Sequence, residues 1–329
     1  MKKLFVGLLL VSMLLSLFIF SGISYAKSPK DLKVAAIFNT AIEEPWDGCI
    51  HQALVKAQKE FGFKYEYTEK VPSSDYEHVM REYASRGFDA LFLDVFTVEE
   101  AARMVAMDYP EVAFIAGSGL GPMEPNFAVF DDWIHEPAYL AGMIAGKITK
   151  TNVLGVVGGY PIPEVNRLIN AFIAGAKEVN PKVKVKVTFI GSWFDPPKAK
   201  EAALAQIDAG ADVLYAERYG VIEACKEKGV YAIGNLTDQS ELGPKTVIAS
   251  PVWDMYPLVK YVINEVANGT FKAMDLREWT MMAKGGAKLV LNPKFPLPDD
   301  IKKMVEERTK KILMGTFRVP VDENTPKSD

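Results

Sequence analysis

Four of the five tryptophans in this 329-residue chain stand beside short polar clusters that close apolar runs. Trp46 lies between Asn39-Thr40-Ala41, Glu43-Glu44 and Asp47; Trp133 follows Asp131-Asp132; Trp193 sits in Gly191-Ser192-Trp193-Phe194-Asp195; Trp253 follows Ser250. An aromatic in a core helix needs no comment, but indole rings at the ends of strands are better explained by a flat ligand. Stacking a base on an aromatic side chain is worth roughly 1–3 kcal/mol. Carboxylates and amides at the ring's edge then accept its N–H groups, and an acceptor left unpaired by the wrong ligand loses about 1–3 kcal/mol, which gives selectivity. This combination suits a heteroaromatic base better than a sugar, a peptide or a phosphate.

From the first half of the chain the candidate binding residues are Asn39, Trp46 and Asp47. The second half adds Glu164 behind Gly158-Gly159-Tyr160, then Trp193 and Phe194. Glu217 in Glu217-Arg218-Tyr219, Asn235 with Asp238 after Gly234, and Trp253 complete the set. Several of these residue types have a plain structural role as well. Trp46 can simply pack its helix on a sheet. Asp195 is either an N-cap or a ligand contact. Asp238 caps a turn or faces the ligand, Glu164 complements a helix dipole or does the same, and Asp94 is balanced between the two. Asp131 and Asp132 are either solvated or in contact with a hinge. Gly117-Ser118-Gly119-Leu120-Gly121 has the glycines of a phosphate cradle, but Pro122 follows instead of a helix, so it reads as a flexible turn.

Catalysis and metal binding find little support. His51, His78 and His135 fall on helices or helix starts, no GxSxG elbow is present, and no close pair of Cys or His has ligand spacing. No catalytic residue, cofactor or metal is expected. Cys49 and Cys225 sit in two separate helical patterns and are expected to be buried and unpaired.

The elements that position these residues follow from periodicity. Short apolar runs at 32–38, 63–68, 90–95, 112–116 and 127–130 alternate with amphipathic stretches. One of these begins at Pro45, and another is announced by Thr97 with Glu100, the spacing of a capping box. The alternation restarts with strands at 153–157, 183–190, 213–216, 230–233, 247–250 and 288–291, and a helix at 298–313 closes the chain. Largely apolar strands between helices mean a parallel sheet covered on both faces, here built twice. Parallel sheets carry ligand groups at the carboxyl ends of their strands, so two such halves face each other across a cleft. The polar tail, residues 319–329, is expected to be flexible.

Composition is that of a globular chain, 49% hydrophobic and 24% charged, with a formal charge of −4 and no basic tract to bind nucleic acid. Residues 1–26 read as a secretory signal peptide: Lys2 and Lys3, an apolar stretch from Leu4 to Phe20, and small residues at Ser24 and Ala26 before a cut ahead of Lys27. A retained membrane anchor is the other reading of this stretch, and the small-residue site favours removal. The mature protein is expected to be soluble, periplasmic or otherwise extracytoplasmic.

The stretch Gly159-Tyr160-Pro161-Ile162-Pro163-Glu164-Val165, the motif Ser192-Trp193-Phe194-Asp195-Pro196 and the segment Tyr139-Leu140-Ala141-Gly142-Met143-Ile144-Ala145-Gly146-Lys147 resemble the basic membrane protein family of ABC-transporter solute-binding proteins. The branch they look most like is the one associated with purine bases such as adenine. The resemblance covers nearly all of residues 31–318. It implies a two-lobed type I periplasmic binding protein fold with three crossovers. Residues 31–149 with 253–284 would form the N-terminal lobe, and 150–252 with 285–318 the C-terminal lobe. It further implies that Trp46-Asp47 takes the place of a Phe-Asn pair that stacks on and bonds the base, that Trp193 stacks from the other lobe, and that Asp238 is the acidic partner, with Asn235 where an Asp is often found. Trp253 stands where the nucleoside branch has a Lys near the ribose, a departure that favours a free base over a nucleoside. The partners implied are a purine and a membrane permease, with the receptor a monomer that performs no chemistry. The alternatives are a ligand-presenting partner of a membrane sensor and a secreted nucleoside-processing enzyme.

Overall fold

The structure, a computed structural model, describes residues 26–329. The expected signal peptide therefore lies outside the described residues, apart from an exposed Ala26. Lys27 is already tied down: its backbone N–H donates to Ala267 O at 2.7 Å and its ammonium pairs with Asp89.

Two sheets form the frame. The first holds β1 (Lys33–Ile37), β2 (Lys64–Thr68), β3 (Ala90–Asp94), β4 (Ala113–Gly117) and β5 (Phe127–Phe130), all parallel, in the order β2-β1-β3-β4-β5. The second holds β6 (Val153–Gly158), β7 (Lys184–Phe189), β8 (Val213–Tyr215), β9 (Tyr231–Ile233), β10 (Val247–Trp253) and β11 (Ala287–Leu291), in the order β11-β10-β9-β8-β6-β7. Strands β3 to β5 are buried along almost their whole length, as strands covered on both faces must be. The second sheet is not wholly parallel, because β11 runs antiparallel to β10 as its edge strand.

The helices are α1 (Pro45–Phe61), α2 (Ser73–Ser85), α3 (Glu99–Asp108), α4 (His135–Ile148), α5 (Pro163–Val179), α6 (Pro196–Asp208), α7 (Val221–Lys228), α8 (Tyr256–Asn268) and α9 (Asp299–Leu313). Helix α1 starts as its sequence dictates, with Pro45 in the first turn and the Glu44 carboxylate capping the N–H groups of Trp46 (2.8 Å) and Asp47 (3.3 Å). It stops at Gly62, whose left-handed φ of 81° suits glycine. The capping box expected at Thr97 does not form. Val98 is the N-cap of α3 without a side-chain bond, and the Thr97 hydroxyl pairs instead with Ser73 Oγ at 2.8 Å.

The chain crosses between sheets after β5, after β10, and again before β11. The segment following α8 returns to the first sheet, where Val129 N donates to Met274 O at 3.0 Å and Leu276 N to Val129 O at 2.8 Å. Helix α8 packs on α1. Helix α4 does not keep to the expected boundary at residue 149. It packs on α5 and against β10 and β11, so the first crossover lies at residues 131–134 and α4 belongs with the second sheet. The physical reason is in the glycines of the two helices. A Cβ at Gly142 would collide with the Phe172 carbonyl, and one at Gly175 with the Tyr139 carbonyl, so α4 and α5 approach backbone to backbone.

The tail is likewise a correction. Residues 319–329 are not loose but lie along α5 and the free edge of β7. Asp329 N donates to Val185 O at 3.0 Å, Ser328 Oγ accepts from Val187 N at 2.8 Å, and Asn170 Nδ2 donates to Asn324 O at 2.8 Å. An edge strand with unpaired backbone groups is thereby covered. One apolar cluster, with Trp46, Phe130 and Trp253 among its members, runs through both halves, while each sheet's other face carries a cluster of its own. Cys49 and Cys225 are both buried and free. No helix among the described residues is long and apolar enough to cross a membrane.

Candidate functional site

The carboxyl ends of β1, β3 and β4 face those of β6 and β7, and a cavity of about 430 Å³ lies between them. That is within the ~300–1,000 Å³ typical of small-molecule sites. The first lobe contributes Asn39, Trp46, Asp47 and Asp94; the second contributes Tyr160, Glu164, Trp193 and Arg218. Two indole rings therefore reach one cavity from opposite lobes, held differently. Trp46 is buried, one face stacked on Phe130 (centroids 5.9 Å apart, planes at 14°), with Trp253 tilted against it at 5.3 Å. A Cβ on Gly117 would occupy the space of the Trp46 ring, which explains a glycine at the end of β4. Trp193 is only half-buried. It meets Phe96 of the facing lobe edge-on at 5.3 Å and Tyr160 at 4.8 Å, with the Arg218 guanidinium 5.2 Å from its ring.

Acceptors surround these rings. Asp47 Oδ2 accepts the Thr40 N–H at 3.0 Å and the Thr40 hydroxyl at 2.5 Å, while its Oδ1 is buried without a partner. Asn39 Nδ2 donates to Asp94 O at 3.2 Å, and its Oδ1 is again buried and unpartnered. Glu164 accepts the Ser118 hydroxyl at 3.2 Å across the lobes. Burial raises the pKa of all the carboxyls here. Glu44 is raised although Arg218 opposes the shift. Asp47 is raised well, with Asp94 and Glu44 adding to burial. Asp94 is pushed up to about 6, and Glu164 is raised well, with Asp131 and Asp132 adding to burial. For Arg218, burial works against the charge, and Glu217 and Glu44 outweigh it, so the guanidinium stays charged.

Five expected residues take other places. Phe194 turns outward, half-exposed, its ring edge-on to Tyr219 at 6.1 Å, while Trp193 beside it takes the inward place. Glu217 is buried behind the wall, accepting Gly159 N–H at 2.9 Å and pairing with Arg218. Asn235 is buried and does not line the cavity; it accepts the Tyr215 hydroxyl at 2.6 Å. Asp238 caps the turn after it, accepting Ser240 N–H at 3.0 Å. Trp253 backs Trp46 instead of touching the cavity. Asp238 and Trp253 both line a second hollow of about 240 Å³ beside α1, where Asp238 is used by Ser240, and Asp254 by Tyr256 N–H and Lys288.

Of the residues left open in sequence, Asp195 is the N-cap of α6, accepting Lys198 N–H at 3.1 Å. Asp94 and Ser118 line the cavity. Arg218 and Phe96 line the cavity too, and the sequence does not single them out. Arg218 lay in a Glu-Arg-Tyr run whose spacing does not tell which member faces inward. Phe96 follows Asp94 by two, and that alternation was its one available signal. Asp131, Asp132 and Glu164 bring carboxylate oxygens within 4.8 Å of one another, the density a cation would need, but the Arg167 guanidinium pairs with both Asp131 and Asp132 and supplies that charge.

Residues 32–323 match the family described as ABC transporter substrate-binding protein, PnrA-like. A Haloferax volcanii protein named as an ABC transporter glucose-binding protein is 35% identical over 231 residues, 69% of this chain; the chain spans 59% of that relative's length. A purine-binding protein of Brucella abortus is 32% identical over 244 residues, 74% of this chain and 68% of the relative. Among solved structures, an ABC transporter solute-binding protein from Aeropyrum pernix superposes with a TM-score of 0.75 at 22% identity, over 88% of this chain and 94% of that one, a likeness of fold.

Proposed function

This chain belongs to the PnrA-like family of ABC transporter substrate-binding proteins, and on that premise we propose that its cleft binds a purine base, adenine-like, outside the cytoplasmic membrane and presents it to a membrane permease. The observation that carries this reading is the pairing of two unpartnered buried acceptors, Asp47 Oδ1 and Asn39 Oδ1, with indole rings from both lobes in one cavity. A flat ligand with N–H groups on its edge satisfies both requirements. A group buried without its hydrogen bond loses about 1–3 kcal/mol, which such a ligand recovers. The name of the Brucella abortus relative points to the same ligand class.

Anionic ligands fit poorly. Carboxyl groups dominate the wall, and four of the five N–H donors of Arg218 go to Glu217, Trp193 O and Glu44. A nucleotide phosphate would meet like charge and no free cation. A monosaccharide is the second reading: hydroxyls also donate to carboxylates, and the Haloferax volcanii relative is named for glucose.

Isothermal titration against adenine, guanine, hypoxanthine, their nucleosides and glucose tests this. Saturable heat from a free base is expected. Heat from no purine overturns the assignment, a preference for ribosides removes only the choice of base over nucleoside, and tighter binding of glucose installs the second reading.

A further inference from the structure

Arg218 joins the two walls of the cavity. It stands in the loop after β8, 7% exposed, with Nε and Nη2 on the Glu217 carboxylate and Nη1 donating to the Trp193 carbonyl at 2.9 Å. The same Nη1 reaches Glu44 Oε1 of the other lobe at 3.4 Å, and Glu44 is 3% exposed. Glu44 Oε2 meanwhile caps α1 through the N–H groups of Trp46 and Asp47. One relay thus runs from the first lobe's ligand groups through Glu44 and Arg218 to the second lobe's indole.

We propose that Arg218 is a positioning residue, and that its ion pair with Glu44 is the latch that holds the lobes closed and sets Trp193 against Trp46 and Asp47 across the ligand space. Each end of the latch grips the groups that line the cavity, not a remote surface. Opening the lobes parts Arg218 from Glu44 while leaving each with its partners inside its own lobe: Glu217 and Trp193 O on one side, the α1 N-terminus on the other. The device therefore favours closure without being needed for either lobe to fold. Dispersed rim pairs add little to binding, whereas a desolvated pair between two surfaces changes how fast they part.

The latch rests on the cleft being the ligand site and not on the ligand being a purine, so its test starts without ligand. Leu120 and Phe194, exposed residues of the two lobes near the cleft, are replaced by cysteine and labelled for single-molecule energy transfer; the native Cys49 and Cys225 are buried and stay unlabelled. Arg218→Met and Glu44→Gln are then introduced singly and together. Gln at 44 retains an oxygen to cap α1 while losing the charge, so it reads the pair from the lobe that does not carry Arg218. Each single variant is expected to lower the closed fraction by about tenfold, the double variant to lower it no further, and adenine dissociation to speed up by a similar factor with association unchanged. Distance distributions identical to the parent in Glu44→Gln, or effects of the two substitutions that multiply in the double variant, overturn the latch. Failure of every purine to bind would reject the ligand assignment and leave the ligand-free closure result standing on its own.

Discussion

Trp46 and Trp193 share one cavity but not one structural burden. Trp46 is packed between Phe130, Trp253 and the bare Cα of Gly117, so its removal empties core volume as well as a ligand face. Trp193 is half-buried, held by Arg218 and Tyr160 at the rim of its lobe. Trp193→Ala is therefore expected to weaken binding about tenfold with little change in stability. Trp46→Ala is expected to weaken binding similarly and also to destabilise the fold by about 3–5 kcal/mol, the range for large aromatic truncations in cores. Titration calorimetry beside urea unfolding separates the two, and an unchanged affinity in both variants moves the site elsewhere. Asp94 makes a second test at this scale. Its pKa rises from 3.8 to about 6 on folding, chiefly through burial, so the folded chain holds a proton that the unfolded chain has released. Stability from this group is full below pH 3.8 and is lost as pH rises through 6, by at most about 3 kcal/mol. His135 acts in the opposite direction, since burial lowers its pKa to about 4. The readout is thus the difference between the parent and Asp94→Asn. In urea unfolding the parent should gain on the variant as pH falls from 7 to 4, and a difference that is flat in pH removes Asp94 as a buried carboxyl. Ligand affinity should fall over the same range, as the Asp94 carboxylate in the cavity wall takes up its proton.

At the scale of elements, most of the frame could be read from periodicity, because β-branched runs and helical apolar spacing report burial directly. Pro45 at a helix start and Asp195 at an N-cap were local signals that tertiary structure left intact. What could not be read depended on contacts distant in sequence. Thr97 had the spacing of a capping box, but Ser73 from α2 took its hydroxyl. The tail looked frayed because polar composition says nothing about an unpaired strand edge elsewhere in the chain. Helix α4 was assigned by its place in sequence, and only its glycines, read as contacts and not as spacers, would have sent it to α5. The candidate site follows the same pattern: strand ends mark Trp46, Asp47, Asn39, Glu164 and Trp193, which line the cavity, but not which neighbour in Trp193-Phe194 or Glu217-Arg218 faces inward. Gly175 gives a test with a decisive sign. Helix propensity alone predicts that Gly175→Ala stabilises by up to about 1 kcal/mol. The closeness of the Tyr139 carbonyl predicts a loss of about 1–3 kcal/mol or more from overpacking. A lower melting temperature supports the close α4–α5 contact, and a higher one removes it.

For the whole molecule the question is whether two lobes behave as one body. Two receptor lobes joined only by crossovers would unfold separately, and a ligand would protect them unequally. Here the largest apolar cluster runs from Val34 and Phe92 of the first lobe through Trp46 and Trp253 to Leu154 and Tyr215 of the second. The α4–α5 contact ties the first crossover to the second sheet, and the return of residues 274–276 to β5 ties the chain back to the first. Cooperativity follows from shared burial: neither lobe can expose its part of that cluster without exposing the other's. A ligand in the cavity adds contacts to both walls, so it stabilises the whole and not a part. At a free concentration of adenine one hundred times its dissociation constant, mass action adds about 2.7 kcal/mol to the folded state. Calorimetric unfolding is therefore expected to show one transition, shifted upward as a unit by adenine and left in place by a nucleotide. Two transitions, with adenine moving only one, would mean that the lobes fold independently and that the ligand rests on a single wall; closure across the cleft could then not be what holds it.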